Sequence, residues 1–205
     1  MKYLLLSAFF FLGFVPSEQD KNLLSYKNCF DNELKEWVAT FDNFNLSSFN
    51  VKDTVAFDGD YEQDSNYLKT FLDIYKPIIT YSPDSTLFID IYSYQLNLEK
   101  NGKYYYASPD IDQAILLFDN QKKYWNRIYF GTNSRWIDEV IWVSCNEFIM
   151  VGITKNLEDK KTPLILIGNV DKRTMLMYMT SDQNCFQTDT GYSSYKLKHI
   201  NIKGL

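Results

Sequence analysis

The chain has 205 residues, with 26 acids against 21 lysines and arginines and a net charge of −5. So acidic a chain gains nothing by releasing counterions from phosphates, which argues against nucleic acid and anionic lipid head groups as partners. The length is enough for one sizeable core, and 45% hydrophobic residues with only 8 glycines and 5 prolines exclude a disordered or fibrous chain.

Met1-Lys2 gives a short positive start, and Tyr3 to Val15 is a 13-residue run without charge. A membrane span needs ~20 such residues, so the run reads as the core of a signal peptide instead. Val15-Pro16-Ser17 suits cleavage after Ser17, giving a leader over residues 1–17 and a periplasmic or extracellular destination. The alternative is a buried hydrophobic N-terminal element. Leader removal takes one lysine and no acid, leaving a charge of −6. The nearest cysteine is Cys29, which favours a soluble exported protein over a lipoprotein, with no membrane span once the leader is gone.

Residues 18–205 read as a single β-rich domain. Within residues 20–44, Leu23, Leu24, Phe30, Leu34, Trp37, Val38 and Phe41 recur at steps of three and four, a helical pattern. Residues 45–65 are a polar connector that has room for a strand over 51–57. Leu68, Phe71, Leu72 and Tyr75 predict a helix up to Lys76, stopped by Pro77. Helix and connector together occupy residues 18–80.

Two runs of four short strands follow, rich in β-branched and aromatic residues. The first (81–133) places strands at 87–92, 103–107, 114–119 and 124–130, broken by Asn101-Gly102, Ser108-Pro109-Asp110 and Asp119-Asn120. The second (134–180) places them at 136–143, 148–154, 164–168 and 175–179. Ile137, Ile141 and Val143 alternate with Trp136, Asp138, Val140 and Trp142, so both faces are largely apolar and the strand should be central. Met175, Met177 and Met179 form a stripe that fits core or interface packing. Residues 181–205 are a tail or one last strand. The fold class is therefore mainly β: two four-stranded antiparallel meanders, blade-like or as packed sheets, with an N-terminal helical segment.

Tyr81-Ser82-Pro83-Asp84-Ser85, followed by Leu87-Phe88-Ile89-Asp90-Ile91-Tyr92, resembles the Ser-Pro-Asp-Gly repeat of exported β-propellers, and the chain otherwise reads as an exported protein of bacterial type. The match covers about 12 residues. Ser85 stands where that family has glycine, and the second run lacks the Ser-Pro-Asp turn. The resemblance implies a blade-like sheet and a binding role. A propeller closes with at least about four blades, so two sheets would instead pack face to face, or one twisted sheet would run through both, with the helices covering a face.

Catalytic signals are sparse, and the reading assigns no catalytic residue and no cofactor. The one histidine, His199, is six residues from the C-terminus, and a triad would have to recruit it. No Gly-x-Gly-x-x-Gly or Gly-Lys-Ser/Thr stretch is present to hold a nucleotide. Cys29, Cys145 and Cys185 allow at most one disulfide, for which Cys145 with Cys185 is the favoured pair; three unpaired thiols is the other reading. Asp58, Asp60, Glu62 and Asp64 place oxygens at alternate positions of a loop, a conceivable calcium set. Gln63 and Lys69 break the EF-hand pattern, which favours a solvated loop. Trp125, Trp136 and Trp142, with Tyr104-Tyr105-Tyr106, could stack on sugar rings, though strand aromatics are usually core. Trp125 lies beside Lys122, Lys123 and Arg127 and is the candidate exposed binding aromatic, whereas Trp142 is expected in the core. The best reading is an exported, non-enzymatic protein that binds another protein or a surface polymer. A hydrolase acting on carbohydrate through paired carboxylates is the alternative, and a structural module without a ligand is a third.

Overall fold

The computed structural model describes residues 22–60 and 66–203; the leader expected over residues 1–17 lies outside them. A 3-10 turn at Leu23–Tyr26 opens the helical segment, followed by helices α1 (Lys27–Asp31) and α2 (Lys35–Val38). Asn22 caps the turn by accepting from the Leu24 amide. The single helix suggested by the periodicity is thus broken into short pieces, but the apolar stripe still faces one way. Strands β1 (Phe49–Ala56) and β2 (Gly59–Asp60) come next, then helix α3 (Tyr67–Tyr75), which ends before Pro77. β3 (Thr80–Tyr81), β4 (Leu87–Asp90), helix α4 (Ser93–Leu96), β5 (Leu98–Asn101) and β6 (Tyr104–Ala107) follow. β7 (Gln113–Asp119), β8 (Tyr124–Gly131), β9 (Arg135–Trp142), β10 (Glu147–Lys155), β11 (Lys161–Asn169) and β12 (Thr174–Thr180) complete the main sheets. Helix α5 (Tyr195–Lys198) and β13 (Ile202–Lys203) end the described chain. None of its helices is long and apolar enough to cross a membrane.

The molecule is mainly β. One five-stranded sheet has the order β2-β8-β7-β4-β3 and the other β1-β12-β11-β10-β9; β13-β6-β5 form a third, small sheet. Two four-stranded antiparallel meanders are present, with one exchange of membership. The strand near residues 103–107 leaves the first meander for the small sheet, and β3 takes a place at the opposite edge. Each meander then gains a fifth strand, β2 or β1, beside its last one. The corresponding hairpin turns end at Lys123 (φ 55°) and Arg173 (φ 53°), 50 positions apart. The first sheet reaches that point by way of an extra excursion, α4 and the β5–β6 hairpin. That excursion is why the two runs do not keep one constant spacing.

Four layers result. Leu23, Phe30, Leu34, Trp37 and Phe41 pack on Ile149, Val151, Ile165 and Ile167 of the second sheet. Its other face, with Ile137, Val140, Phe148, Met150, Leu164, Leu166, Met175 and Met177, shares a core with the first sheet. The methionine stripe is therefore core for Met175 and Met177. Beyond the first sheet lie Phe71 and Tyr75 of α3, so β4 is buried on both faces at all four residues. Gln113, fully buried, ties the two sheets together. Its Nε2 donates to the carbonyls of Ile91 and Ile137, and its Oε1 accepts from the Ile137 amide, all at 2.9 Å. Trp142 Nε1 adds a bond to the Thr80 carbonyl at 3.0 Å.

Strand β9 departs from simple alternation. Val151 pairs with Glu139 and Gly152 with Ile137, leaving Asp138 as an extra residue in a bulge. A bulge shifts every later side chain by one position. Ile137 and Val140 therefore both enter the inter-sheet core, while Ile141 joins the helical side. The face assignment expected for Val140 and Ile141 is reversed.

The favoured Cys145–Cys185 disulfide does not form; Cys29, Cys145 and Cys185 are all free thiols. Cys145 sits in the turn before β10, whereas Cys185 lies beyond β12, near the start of β11, where the Gln187 amide bonds to the Lys161 carbonyl. The nine residues of β10 separate those two ends of the sheet, by roughly 27 Å at ~3.4 Å per residue. A disulfide needs Cα atoms within about 7 Å.

Candidate functional site

The acidic connector does not assemble a metal site among its described residues. Asp58 pairs with Arg127, and Asp60 Oδ1 lies 3.4 Å from Arg173 Nη2. β2 pairs with β8 so that Gly59 opposes Arg127 and Asp60 opposes Asn126, which places these acids over cations. Glu62 and Asp64 fall outside the described residues. No group of three or more histidines, cysteines or acids with metal-holding geometry occurs among those described.

Arg173 also borders a cleft of about 780 Å³ at one end of the two large sheets. Phe57, Leu87, Leu117 and Tyr124 make its apolar wall, and Asp60, Asp119, Asp171 and Lys122 its charged rim. The carboxylates are already engaged. Asp119 accepts from the Gln121 and Lys122 amides and meets Lys122 Nζ at 3.3 Å, and Asp171 accepts from Asn146. Arg173 donates to Asn126 Oδ1 at 2.8 Å. A glycosidase needs one carboxyl that keeps its proton facing a second one across a cleft. The acids of this rim are instead each held by a cation or by amides.

A carboxyl held well above the usual range is Asp138, on the bulge of β9. Burial raises it from 3.8 to about 7, opposed by the bond from Trp37 Nε1 and by the charge of Lys161, with Glu139 adding to the rise. Its neighbour Glu139 is 6% exposed and fully partnered. Lys196 Nζ reaches Oε1 at 2.6 Å, and Ser194 and Tyr192 hydroxyls donate to Oε2 at 2.7 and 3.1 Å. Lys196 donates also to Thr80 Oγ1 at 2.7 Å. Burial and the Glu139 charge push the Tyr92 and Tyr192 hydroxyls up. Two adjacent carboxyls in contrasting environments resemble an acid–base pair, but neither borders the cleft. Their partners are the helical layer on one side and the C-terminal segment on the other. Asp90, fully buried, is likewise raised by burial, opposed by the Ser93 hydroxyl and the amides of Tyr92 and Ser93. These carboxyls join elements of the fold, and no buried side-chain polar atom among the described residues lacks a partner.

The aromatic candidates sort differently from the sequence expectation. Trp125 is 5% exposed, caged by Phe71, Phe88 and Phe118 at 5.0, 5.5 and 4.7 Å between ring centroids. The lysines around it belong to the turn, while its own side chain faces α3, so it presents no ring to a partner. Trp142 is half-buried against Phe148. His199 is exposed and lies against Tyr195, the two rings tilted by 41°.

Aromatic side chains do reach the surface on the small sheet. β5 and β6 meet in a two-residue turn opened by Gly102 (φ 59°), a sign that two-residue hairpins favour. Alternation along β6 buries Tyr105 and leaves Tyr104 and Tyr106 exposed at 37% and 47%. Strand register puts Asn101 across from Tyr104, and Glu99 and Lys203 on either side of Tyr106, all on the same outer face. The ammonium groups of Lys103 and Lys203 each lie 5.4 Å from the Tyr104 ring centroid. The Tyr104-Tyr105-Tyr106 triplet was legible in the sequence. Which of the three would be outward required the register.

Comparisons with known proteins find no family, curated protein or solved structure that matches this chain.

Proposed function

We propose that this is an exported, non-enzymatic binding protein that engages another protein or a surface polymer through the outer face of the β13-β6-β5 sheet. The observation that carries this reading is the exposed pair Tyr104 and Tyr106, set on a sheet whose other side is anchored in the core by Leu98 and Tyr105. Exposed aromatics on a rigid element supply contact area at little entropic cost, and interface hot spots favour tyrosine. The resemblance of the 81–92 segment to exported propeller repeats and the apolar N-terminal run support export and a binding role. The acidic net charge supports a partner other than nucleic acid. Against the hydrolase alternative, Asp138 and Glu139 are taken up by Trp37, Ser194, Tyr192 and Lys196, and the cleft acids by cations and amides. Oxidative footprinting of the full chain mixed with cell-surface extract tests the reading. Tyr104 and Tyr106 should become protected while Tyr195, exposed elsewhere, does not; unchanged labelling of both would overturn it.

A further inference from the structure

From the charge on this face we infer that its ligand is an acidic polysaccharide, an extended chain of sugar rings bearing carboxylates; the inference rests on the binding-face reading above. The chain as a whole carries −5, yet Lys103 and Lys203 both crowd Tyr104, and among the described residues Glu99 is the one carboxylate that the strand register sets beside them on the face. Among the described residues neither lysine has a carboxylate partner within salt-bridge distance. Two ammonium groups against one carboxylate leave the face locally positive on an acidic protein, which selects for an anionic ligand. Cations beside an aromatic ring also suit a ligand that is apolar on one side and charged at its rim. A sugar ring is such a ligand: its C–H face meets the ring of a tyrosine while a carboxylate reaches the ammonium group.

The geometry favours a repeating polymer over a peptide. Tyr104 and Tyr106 are two residues apart on one strand, which sets their side chains roughly 7 Å apart along the sheet. That arrangement offers successive platforms on one face, with Asn101 and Glu99 beside them to hydrogen-bond ring hydroxyls. A bound peptide strand would instead seek the unpaired backbone at a sheet edge. The tyrosines lie on β6, the central strand of the three, where both edges are already taken.

Affinity electrophoresis of the full chain in gels containing polygalacturonate, neutral hydroxyethylcellulose or poly-glutamate tests this. Retardation is expected with polygalacturonate. It should weaken about tenfold in the Tyr104→Ala/Tyr106→Ala double variant, since hot-spot aromatics account for much of an interface's affinity. It should weaken severalfold in Lys103→Gln/Lys203→Gln and at raised salt, because exposed charges are screened. Circular dichroism of each variant confirms that a loss is not unfolding. Equal retardation by the neutral polymer, insensitive to the lysines, would overturn the acidic assignment. Tyrosine-dependent retardation by poly-glutamate alone would overturn the polysaccharide and keep the binding face. Absence of retardation in all three gels overturns the inference; footprint protection of Tyr104 and Tyr106 would then keep the face reading, and unprotected tyrosines would end both.

Discussion

Asp138 is held up to about 7, against an ordinary value of 3.8, because the helical layer packs over β9 and leaves its carboxyl little water. The native chain therefore binds a proton that the unfolded chain has already released between those two values. Stability from this group is full below about pH 4, falls as pH rises toward 7, and is lost above. Asp138→Asn keeps an oxygen to accept from Trp37 without a charge to bury. The variant should be more stable than the parent at pH 8, by on the order of 2–4 kcal/mol, and nearly equal at pH 4. Denaturant melts of both proteins at the two pH values check it; parallel pH profiles would mean that Asp138 titrates as an exposed acid. Asp90, buried in both proteins, cancels in the comparison. At the same scale, Trp125→Ala should cost about 3–5 kcal/mol, because it empties a cage of three phenylalanines. Trp142→Ala should cost less, since that ring is only half-buried. The expected order is the opposite of the one that neighbouring lysines suggest. Sequence neighbours report the turn, whereas burial is set by which side of β8 faces α3.

At the scale of elements, the second meander was legible almost to its ends, because four strands of seven to nine residues follow one another with only short turns between them. The first was harder. β4 has only four residues, and the chain then detours through α4, entered by a tight turn in which Asp90 accepts from the Tyr92 and Ser93 amides. Nothing in the β6 sequence says that it pairs with β5 and β13 instead of β7; pairing is a long-range fact. The bulge at Asp138 was invisible for the same reason, and with it the contrasting surroundings of Asp138 and Glu139. Close approach between strands is easier to test. An added Cβ at Gly168 would stand 2.1 Å from the Phe148 ring, so Gly168→Ala forces the ring or the strand to move. Overpacking of this kind costs about 1–3 kcal/mol. Phe148→Leu is itself destabilising, but in that background the added methyl should cost clearly less. A double-mutant cycle by chemical denaturation measures the difference, and additive losses would contradict the contact. Lys196 supplies a second element-level test, since it holds the C-terminal segment to β9 through Glu139. Lys196→Met leaves the buried Glu139 without its cation and should cost on the order of 3 kcal/mol. Adding Glu139→Gln should recover part of the loss.

For the whole molecule, the decisive feature is that the two large sheets do not own separate cores. Ile115, Leu117 and Ile128 of one pack in the same cluster as Ile137, Phe148 and Leu166 of the other. Gln113 bonds across from β7 to β9, and Trp142 from β9 to β3. Neither sheet can expose its inner face without exposing the other's, so the four layers should unfold together. The four tryptophans make this measurable. Trp37 reports the helical layer, Trp125 the packing of α3 on the first sheet, and Trp136 with Trp142 the second sheet. Variants that keep Trp37 or Trp125 alone, the others changed to phenylalanine, should show fluorescence transitions that coincide with each other and with the loss of far-ultraviolet circular dichroism. Gln113→Ala should lower all of these midpoints by the same amount. It strips partners from three buried backbone groups, at about 1–3 kcal/mol for each group left unsatisfied. An early transition at Trp37 alone would show that the helical layer detaches before the sheets. A Gln113 variant whose two sheets melt at different temperatures would show that the glutamine, more than the shared apolar core, makes them one unit.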